Sequence, residues 1–216
     1  MTKAIMIVGA GPGIGQAVAG RFGREGWTVV LTARNPERLA GLAADLSAQG
    51  VTAHAIPADA TDPAALRAAL DEADRLTGGL TALHFNAAVV RRQDLFSMTD
   101  TEVTQDLAIN VTGGLHAIRA AVALFGGRTG TILVTGGGLA VAPHENYASL
   151  GVGKVALRNI VQALAEPLAG RGVRIATATV ATLVSPGSQE ARDVADLFWR
   201  LATDADAPWE INYPPT

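Results

Sequence analysis

The run Ala4-Ile5-Met6-Ile7-Val8 passes directly into Gly9-Ala10-Gly11-Pro12-Gly13-Ile14-Gly15. A short apolar run closed by glycines predicts a buried strand over residues 3–8. From Ala17 to Gly26 the sequence reads as a helix, with Phe22 among its core candidates. A phosphate loop of the P-loop kind is excluded, because no Gly-Lys-Ser/Thr ends the glycine stretch. The GxGxxG spacing fails as well: counted from Gly9 its third glycine falls on Ile14, and counted from Gly11 on Gln16. The spacing that fits is GxxxGxG, carried by Gly9, Gly13 and Gly15. Glycines at a strand-to-helix turn permit a tight bend and close approach of the backbone to a pyrophosphate. The helix N-terminus then offers free N–H groups and a partial positive charge. An ordinary glycine-rich turn is the alternative, and the position at the first strand-to-helix junction of a long alternating pattern argues against it.

The alternation runs on through the chain. Trp27–Ala33 reads as a second strand, and Asn35 caps a helix with Pro36 at its first position, running to about Gln49. Val51–Ala58 is a third strand, Thr61 or Asp62 caps a helix to about Leu76, and Leu80–Asn86 is a fourth strand. A long helical stretch follows over about 100–125, then a strand at 130–135 and a helix over about 148–169. A sixth strand lies within 173–184, a last helix covers about 188–202, and 210–213 forms a short final strand. Apolar strands separated by helices imply a parallel sheet covered on both faces and joined by right-handed crossovers. No linker or shift in composition divides the chain. The expected fold is α/β: one Rossmann-type doubly wound parallel sheet in a single dinucleotide-binding domain over residues 1–216.

Of the 216 residues, 49% are hydrophobic, 17% charged and 5% aromatic, with a net charge of −3. This excludes intrinsic disorder and gives no basic stripe for nucleic acid. A chain of this size buries roughly 70% of its unfolded surface and needs no staple. Cysteine is absent, which removes disulfides and thiolate nucleophiles and fits a reducing, cytoplasmic setting. The N-terminal apolar run stops at glycines without a cleavage-site pattern, and no run approaches ~20 apolar residues, so neither a signal peptide nor a membrane span is expected. His54, His84, His116 and His144 are scattered, and no metal site is expected. Lys3 and Lys154 are the only lysines among the 17 basic residues.

The end of the second strand bears on the cofactor. An acidic residue there would hold the ribose hydroxyls of NAD. This chain has Thr32-Ala33-Arg34-Asn35 instead. A 2′-phosphate is repelled by an acid and attracted by a guanidinium, so NADP(H) is expected in preference to NAD(H).

Together with residues further on, these features resemble the short-chain dehydrogenase/reductase family over Lys3 to about Val184. Gly9, Gly13 and Gly15 match its GxxxGxG, with Ile14 inside it. Asp59 sits where the family has an acid contacting adenine. Phe85–Ala88 is similar to the family's Asn-Ala-Gly motif, with Asn86 and Ala87 matching and Ala88 in place of glycine. Asn110, in AINVTG, matches the helix asparagine of the catalytic tetrad, and Lys154 matches the catalytic lysine. The resemblance implies a cofactor site of Gly9, Gly13, Ile14, Gly15, Arg34, Asp59, Asn86, Ala87 and Lys154, with Asn110 and Lys154 also catalytic.

The family's proton-transferring tyrosine would stand at position 150 and its serine at 137, but this chain has Leu150 and Gly137 there. Leucine transfers no proton and glycine has no hydroxyl. Tyr147 is the nearest tyrosine, ~10 Å from Lys154 along a helix axis, and at the helix entry it is the candidate substitute donor. His144, Ser149 and Thr135 are further polar candidates whose ordinary reading is loop or cap. Pro186-Gly187 arrives late and a single helix follows it, so the C-terminal substrate region is expected to be shortened. The resemblance also implies a homodimer or homotetramer through the helices at about 100–125 and 148–169. There Ala117, Ala120, Ala121, Ala163 and Leu164 offer surface to either a partner or the sheet.

The expected function is an NADP(H)-dependent oxidoreductase acting on a small carbonyl or alcohol with a non-standard proton donor, and with no nucleic-acid or membrane partner. Losing a positioned acid costs ~10²–10⁴-fold in rate, and substrates whose product is not an alkoxide need the acid less. The alternatives are a dinucleotide-binding protein without redox turnover, such as a sensor or assembly subunit, and a degenerate subunit that pairs with an active relative.

Overall fold

In the computed structural model, which describes residues 3–215, strands and helices alternate from the start. They are β1 (Ala4–Val8), α1 (Ile14–Arg24), β2 (Thr28–Thr32), α2 (Pro36–Ala48), β3 (Ala53–Ala55), α3 (Pro63–Thr77) and β4 (Ala82–Phe85). Then come α4 (Asp100–Leu107), a π-helical turn (Ala108–Gly113), α5 (Gly114–Phe125), β5 (Gly130–Thr135), α6 (Ala148–Ala169), β6 (Val173–Val180), α7 (Gln189–Thr203) and β7 (Glu210–Tyr213). All seven strands pair in parallel in the order β3-β2-β1-β4-β5-β6-β7. The doubly wound α/β sheet expected from the alternation is the fold of the chain.

Each face of the sheet buries its own core. Leu83, Phe85 and Val134 pack with Leu66 of α3, Ile118 of α5 and Leu157 of α6. Ile5, Leu133 and Ala178 pack on the other side with Val18 of α1, Leu39 of α2 and Phe198 of α7. Phe22, Trp27 and Trp199 meet edge to face at centroid distances of 5.1, 5.2 and 5.9 Å, which locks α1 against α7. The helix starts follow local chemistry. Asn35 and Asp62 accept hydrogen bonds from first-turn amides, each just before a proline, and Thr99 forms a capping box with Glu102.

Several boundaries move for identifiable reasons. The first helix begins at Ile14 rather than Ala17, inside the glycine stretch. The edge strand β3 is only three residues long, although Ile56 and Ala58 still donate to the carbonyls of Leu31 and Ala33. The helix expected over 100–125 is interrupted by the π-helical turn at Asn110. Within that stretch Ala117, Ala120 and Ala121 are buried in the core of this face of the sheet, with Ala120 at the groove between α5 and α3. The stretch reaches a mean hydropathy of 1.4, but its apolar residues Ala117, Ile118 and Phe125 are buried against the sheet. β6 ends at Val180, and β7 extends the sheet beside it. Glu210 of β7 is held by a two-point ion pair from Arg158 of α6 at 2.7 and 2.6 Å and by the Thr179 hydroxyl at 2.6 Å.

Candidate active site

The strand order reverses between β1 and β4, so the loops leaving these strands open a crevice at their carboxyl ends. Gly9 adopts φ 87°, a left-handed conformation, and a Cβ there would lie 2.4 Å from the Ala87 nitrogen. Two backbones therefore touch where a side chain would separate them. Asn86 Nδ2 donates to the Gly9 carbonyl at 2.9 Å. Gly13 precedes α1 and has no side chain to cap it; the Gln16 amide donates to the Gly11 carbonyl at 2.9 Å, which leaves the amides of Ile14 and Gly15 to face an anion.

A cavity of about 300 Å³ opens beside this loop, lined by Gly9, Thr32, Arg34, Asp59, Asn86 and Ala87 among others. Asp59 accepts from the amide and hydroxyl of Thr61 at 2.9 and 2.8 Å. The Thr61 amide bond is the main cause holding the Asp59 pKa below its usual value; burial opposes it, while the Thr61 hydroxyl and Arg34 charge assist. The buried Thr32 hydroxyl has no partner among the described residues. A bare-backbone cradle, a free helix start, a fixed carboxylate and an exposed guanidinium together fit a dinucleotide.

Lys154 reaches the site from α6. Its Nζ donates to the Thr135 carbonyl at 2.8 Å, and burial lowers its pKa to about 8. A Cβ at position 137 would stand 3.1 Å from Cγ, Cδ and Cε of Lys154, so the lysine stem lies over the bare face of Gly137. Leu150 is buried in the first turn of α6.

The other sequence candidates fall in different places. Asn110 is buried, and its amide is occupied on both sides: Oδ1 accepts from the Val89 amide at 2.8 Å and Nδ2 donates to the Val89 carbonyl at 3.0 Å. This side chain braces the exit of β4. The carbonyl of Asn110 lies close to Gly153, where a Cβ would approach it to 2.9 Å. Tyr147 is half-buried at the N-cap of α6, with its ring edge-on to His144 at 5.7 Å. Ser149 points away from donor duty: it is buried and donates to Asp106 at 2.7 Å. The Thr135 hydroxyl is likewise committed, to Asn86 and His84.

His84, one of the four scattered histidines, carries no further signal in the sequence. It lies at 0% exposure on β4, 4.3 Å from the Phe198 ring. Its pKa falls from 6.5 to about 3, chiefly by burial and then by the Lys154 charge. The unfolded chain therefore takes up this proton near pH 6.5 while the folded chain refuses it until about 3. The stability tied to neutral His84 is complete above pH 6.5 and declines as pH falls toward 3, by about 2 kcal/mol at pH 5. Urea titrations across pH 7 to about 4.5 should show this loss, and His84→Leu should flatten the slope in that interval, above the carboxylate range.

The sequence profile of the short chain dehydrogenase family matches residues 3–195. The 2,3-dihydro-2,3-dihydroxybenzoate dehydrogenase of Bacillus subtilis is 30% identical, over 97% of this chain and 77% of its own length. An A-factor type gamma-butyrolactone 1'-reductase of Streptomyces virginiae is 34% identical, over 89% of this chain and 74% of its own. Among solved structures, a metagenomic short-chain oxidoreductase in complex with NADP superposes with a TM-score of 0.87 at 27% identity, covering 100% of this chain and 97% of that one. The chain thus belongs to the short-chain dehydrogenase/reductase family, whose members are oxidoreductases on an NAD(P)-binding Rossmann fold.

Proposed function

We propose that the protein is an NADP(H)-dependent oxidoreductase that interconverts a small carbonyl compound and its alcohol, with Tyr147 or a water molecule as proton donor. The observation that carries the cofactor preference is Arg34, at the end of β2, in the same cavity as Gly9 and Asp59. A guanidinium there attracts a 2′-phosphate. Gly9, Gly13, Ile14 and Gly15 receive the pyrophosphate, Asp59 the adenine, and Asn86 with Ala87 forms the wall behind it. The NADP complex of the metagenomic relative is in keeping with this reading.

When bound, the cofactor supplies or accepts a hydride. Lys154 has two N–H groups left after its bond to the Thr135 carbonyl. These serve the ribose hydroxyls, and the positive charge lowers the energy of negative charge developing on the substrate oxygen. Tyr147 enters from the start of α6 to protonate that oxygen, while the Asn110 amide keeps the loop after β4 in place and its carbonyl, beside Gly153, holds a relay water. Val90, Val141 and Leu183 are 69%, 63% and 87% exposed on the segments that follow β4, β5 and β6, which supports a substrate with an apolar body. Exposed Val152 and Val155 on α6 support a homo-oligomer through that helix, and the cysteine-free chain suits the cytoplasm. The second reading, dinucleotide binding without turnover, is favoured by the lack of any hydroxyl at Gly137 and Leu150.

Fluorescence titration with NADPH and NADH tests the cofactor assignment. Arg34→Glu should shift the preference toward NADH by about tenfold, as expected for an exposed charge-assisted contact. Equal affinities in both proteins would remove Arg34 from the site. NADPH consumption against a panel of aldehydes, ketones, activated alkenes and iminium ions tests turnover. Tight binding with no consumption across the panel would favour the second reading.

A further inference from the structure

A chain of side-chain hydrogen bonds runs from the middle of the sheet to the glycine loop, and its proton positions follow from which groups are able to donate. A carbonyl only accepts, so Asn86 must present Nδ2 to Gly9, at 2.9 Å. Asn86 Oδ1 then faces the Thr135 hydroxyl at 2.8 Å and takes its one hydrogen. The Thr135 oxygen must therefore accept from His84 Nε2, 2.8 Å away, which fixes the tautomer of His84 with Nδ1 bare. His84 Nδ1 is indeed buried without a partner among the described residues.

The far end of this chain is tightly confined. A Cβ at Gly15 would lie 3.1 Å from the Gly9 carbonyl oxygen and 3.3 Å from Asn86 Nδ2, so α1 closes over the bond. The amides of Gly9 and Ala10 both donate to the Thr32 carbonyl, at 2.8 and 3.1 Å. Thr135 also holds Lys154 through its backbone carbonyl at 2.8 Å. One residue thus braces the pyrophosphate loop with its side chain and the lysine with its main chain.

We infer that Thr135, with its proton donor His84, is a positioning residue that fixes the glycine loop in its dinucleotide-binding shape through Asn86. The inference rests on the dinucleotide reading given above. Without the Thr135 hydroxyl, Asn86 Oδ1 loses its donor at a half-buried position, and the amide gains by rotating away from Gly9 toward the cavity it lines. The loop amides would then open more often and meet the phosphates less well. His84 acts only through Thr135, so removing both should do little more harm to the loop than removing Thr135 alone.

The test uses Thr135→Val, Thr135→Ser, His84→Leu and the double variant Thr135→Val/His84→Leu in the full chain. Hydrogen exchange of the segment 9–16 needs no ligand. It should quicken about tenfold in Thr135→Val and stay near the parent rate in Thr135→Ser, with the amides of β1 unchanged in both. NADPH affinity should fall about tenfold in Thr135→Val and recover in Thr135→Ser. Unchanged loop exchange in Thr135→Val overturns the inference, whatever the affinity does. A uniform rise in exchange across the sheet, not rescued by serine, also overturns it, because it marks general destabilisation. Failure of the parent protein to bind either dinucleotide would count against the functional reading, while the exchange result still decides the role of Thr135.

Discussion

Gly9→Ala is expected to lose dinucleotide binding by more than about 100-fold and to destabilise the fold by about 2–5 kcal/mol. Two penalties combine. The backbone at Gly9 stands at φ 87°, which an L side chain rarely adopts, and the new methyl would meet the Ala87 nitrogen at 2.4 Å and its Cα at 2.5 Å. These obstacles are backbone atoms, so no rotamer change relieves them. The loop must move away from β4 and take the Asn86 bond with it. NADPH titration by fluorescence and thermal unfolding by calorimetry measure the two effects. Gly11→Ala is the control for stability, because a Cβ at Gly11 meets nothing within 4 Å. Equal losses in both variants would show that the close approach at Gly9 is not what matters.

Asp106→Ala should lower stability by about 2–4 kcal/mol. This carboxylate of α4 is only 1% exposed, and it ties three elements together. Arg91, from the segment after β4, reaches it through Nε at 2.8 Å and Nη2 at 3.2 Å. Ser149, in the first turn of α6, donates to it at 2.7 Å. Burial would raise the Asp106 pKa, but the Arg91 and Ser149 bonds and the Arg91 charge outweigh it and the net shift is downward. Its stabilising share is therefore present above the ordinary aspartate range and lost as pH falls below it. Removing the carboxylate leaves the Ser149 hydroxyl buried and unpaired, while Arg91 keeps only Glu102, at 2.8 Å. Calorimetry should report a fall of ~5–15 °C in Tm at neutral pH for a chain of this size. Asp106→Asn should recover part of it, since the amide still accepts from Ser149. A fall below ~2 °C would mean that the network is replaced by water without cost.

Of the residues expected to hold the cofactor, Gly9, Arg34, Asp59, Asn86 and Ala87 line one cavity. Gly9 and Arg34 were named from their chemistry at a strand end, and Asp59, Asn86 and Ala87 from the family resemblance. Strand ends are readable because apolar runs and glycines mark them locally. The residues proposed for catalysis were less legible. Asn110 and Lys154 were found by their resemblance to the family's tetrad, yet a resemblance does not show that the Asn110 amide is taken up by Val89 or that the lysine stem covers Gly137. Ser149 and Thr135 were weighed as proton donors, and both hydroxyls are committed elsewhere by partners 43 and 49 residues away. His84 gave no signal beyond a polar residue in an apolar strand.

By itself the sequence determined the order of elements, the parallel sheet, the glycine-rich turn from β1 into α1 and the absence of a hydroxyl at positions 137 and 150. All of these depend on residues close in the chain: periodicity, caps, glycine spacing and side-chain identity. Only the tertiary structure decided which polar groups remain available for chemistry. That outcome depends on strands β1, β4 and β5 lying side by side, so that Gly9, Asn86, Thr135 and His84 share hydrogens across sequence separations of 49 to 77 residues. A buried polar group has to be paired wherever the fold brings a partner, and that partner is set by topology rather than by neighbours in sequence.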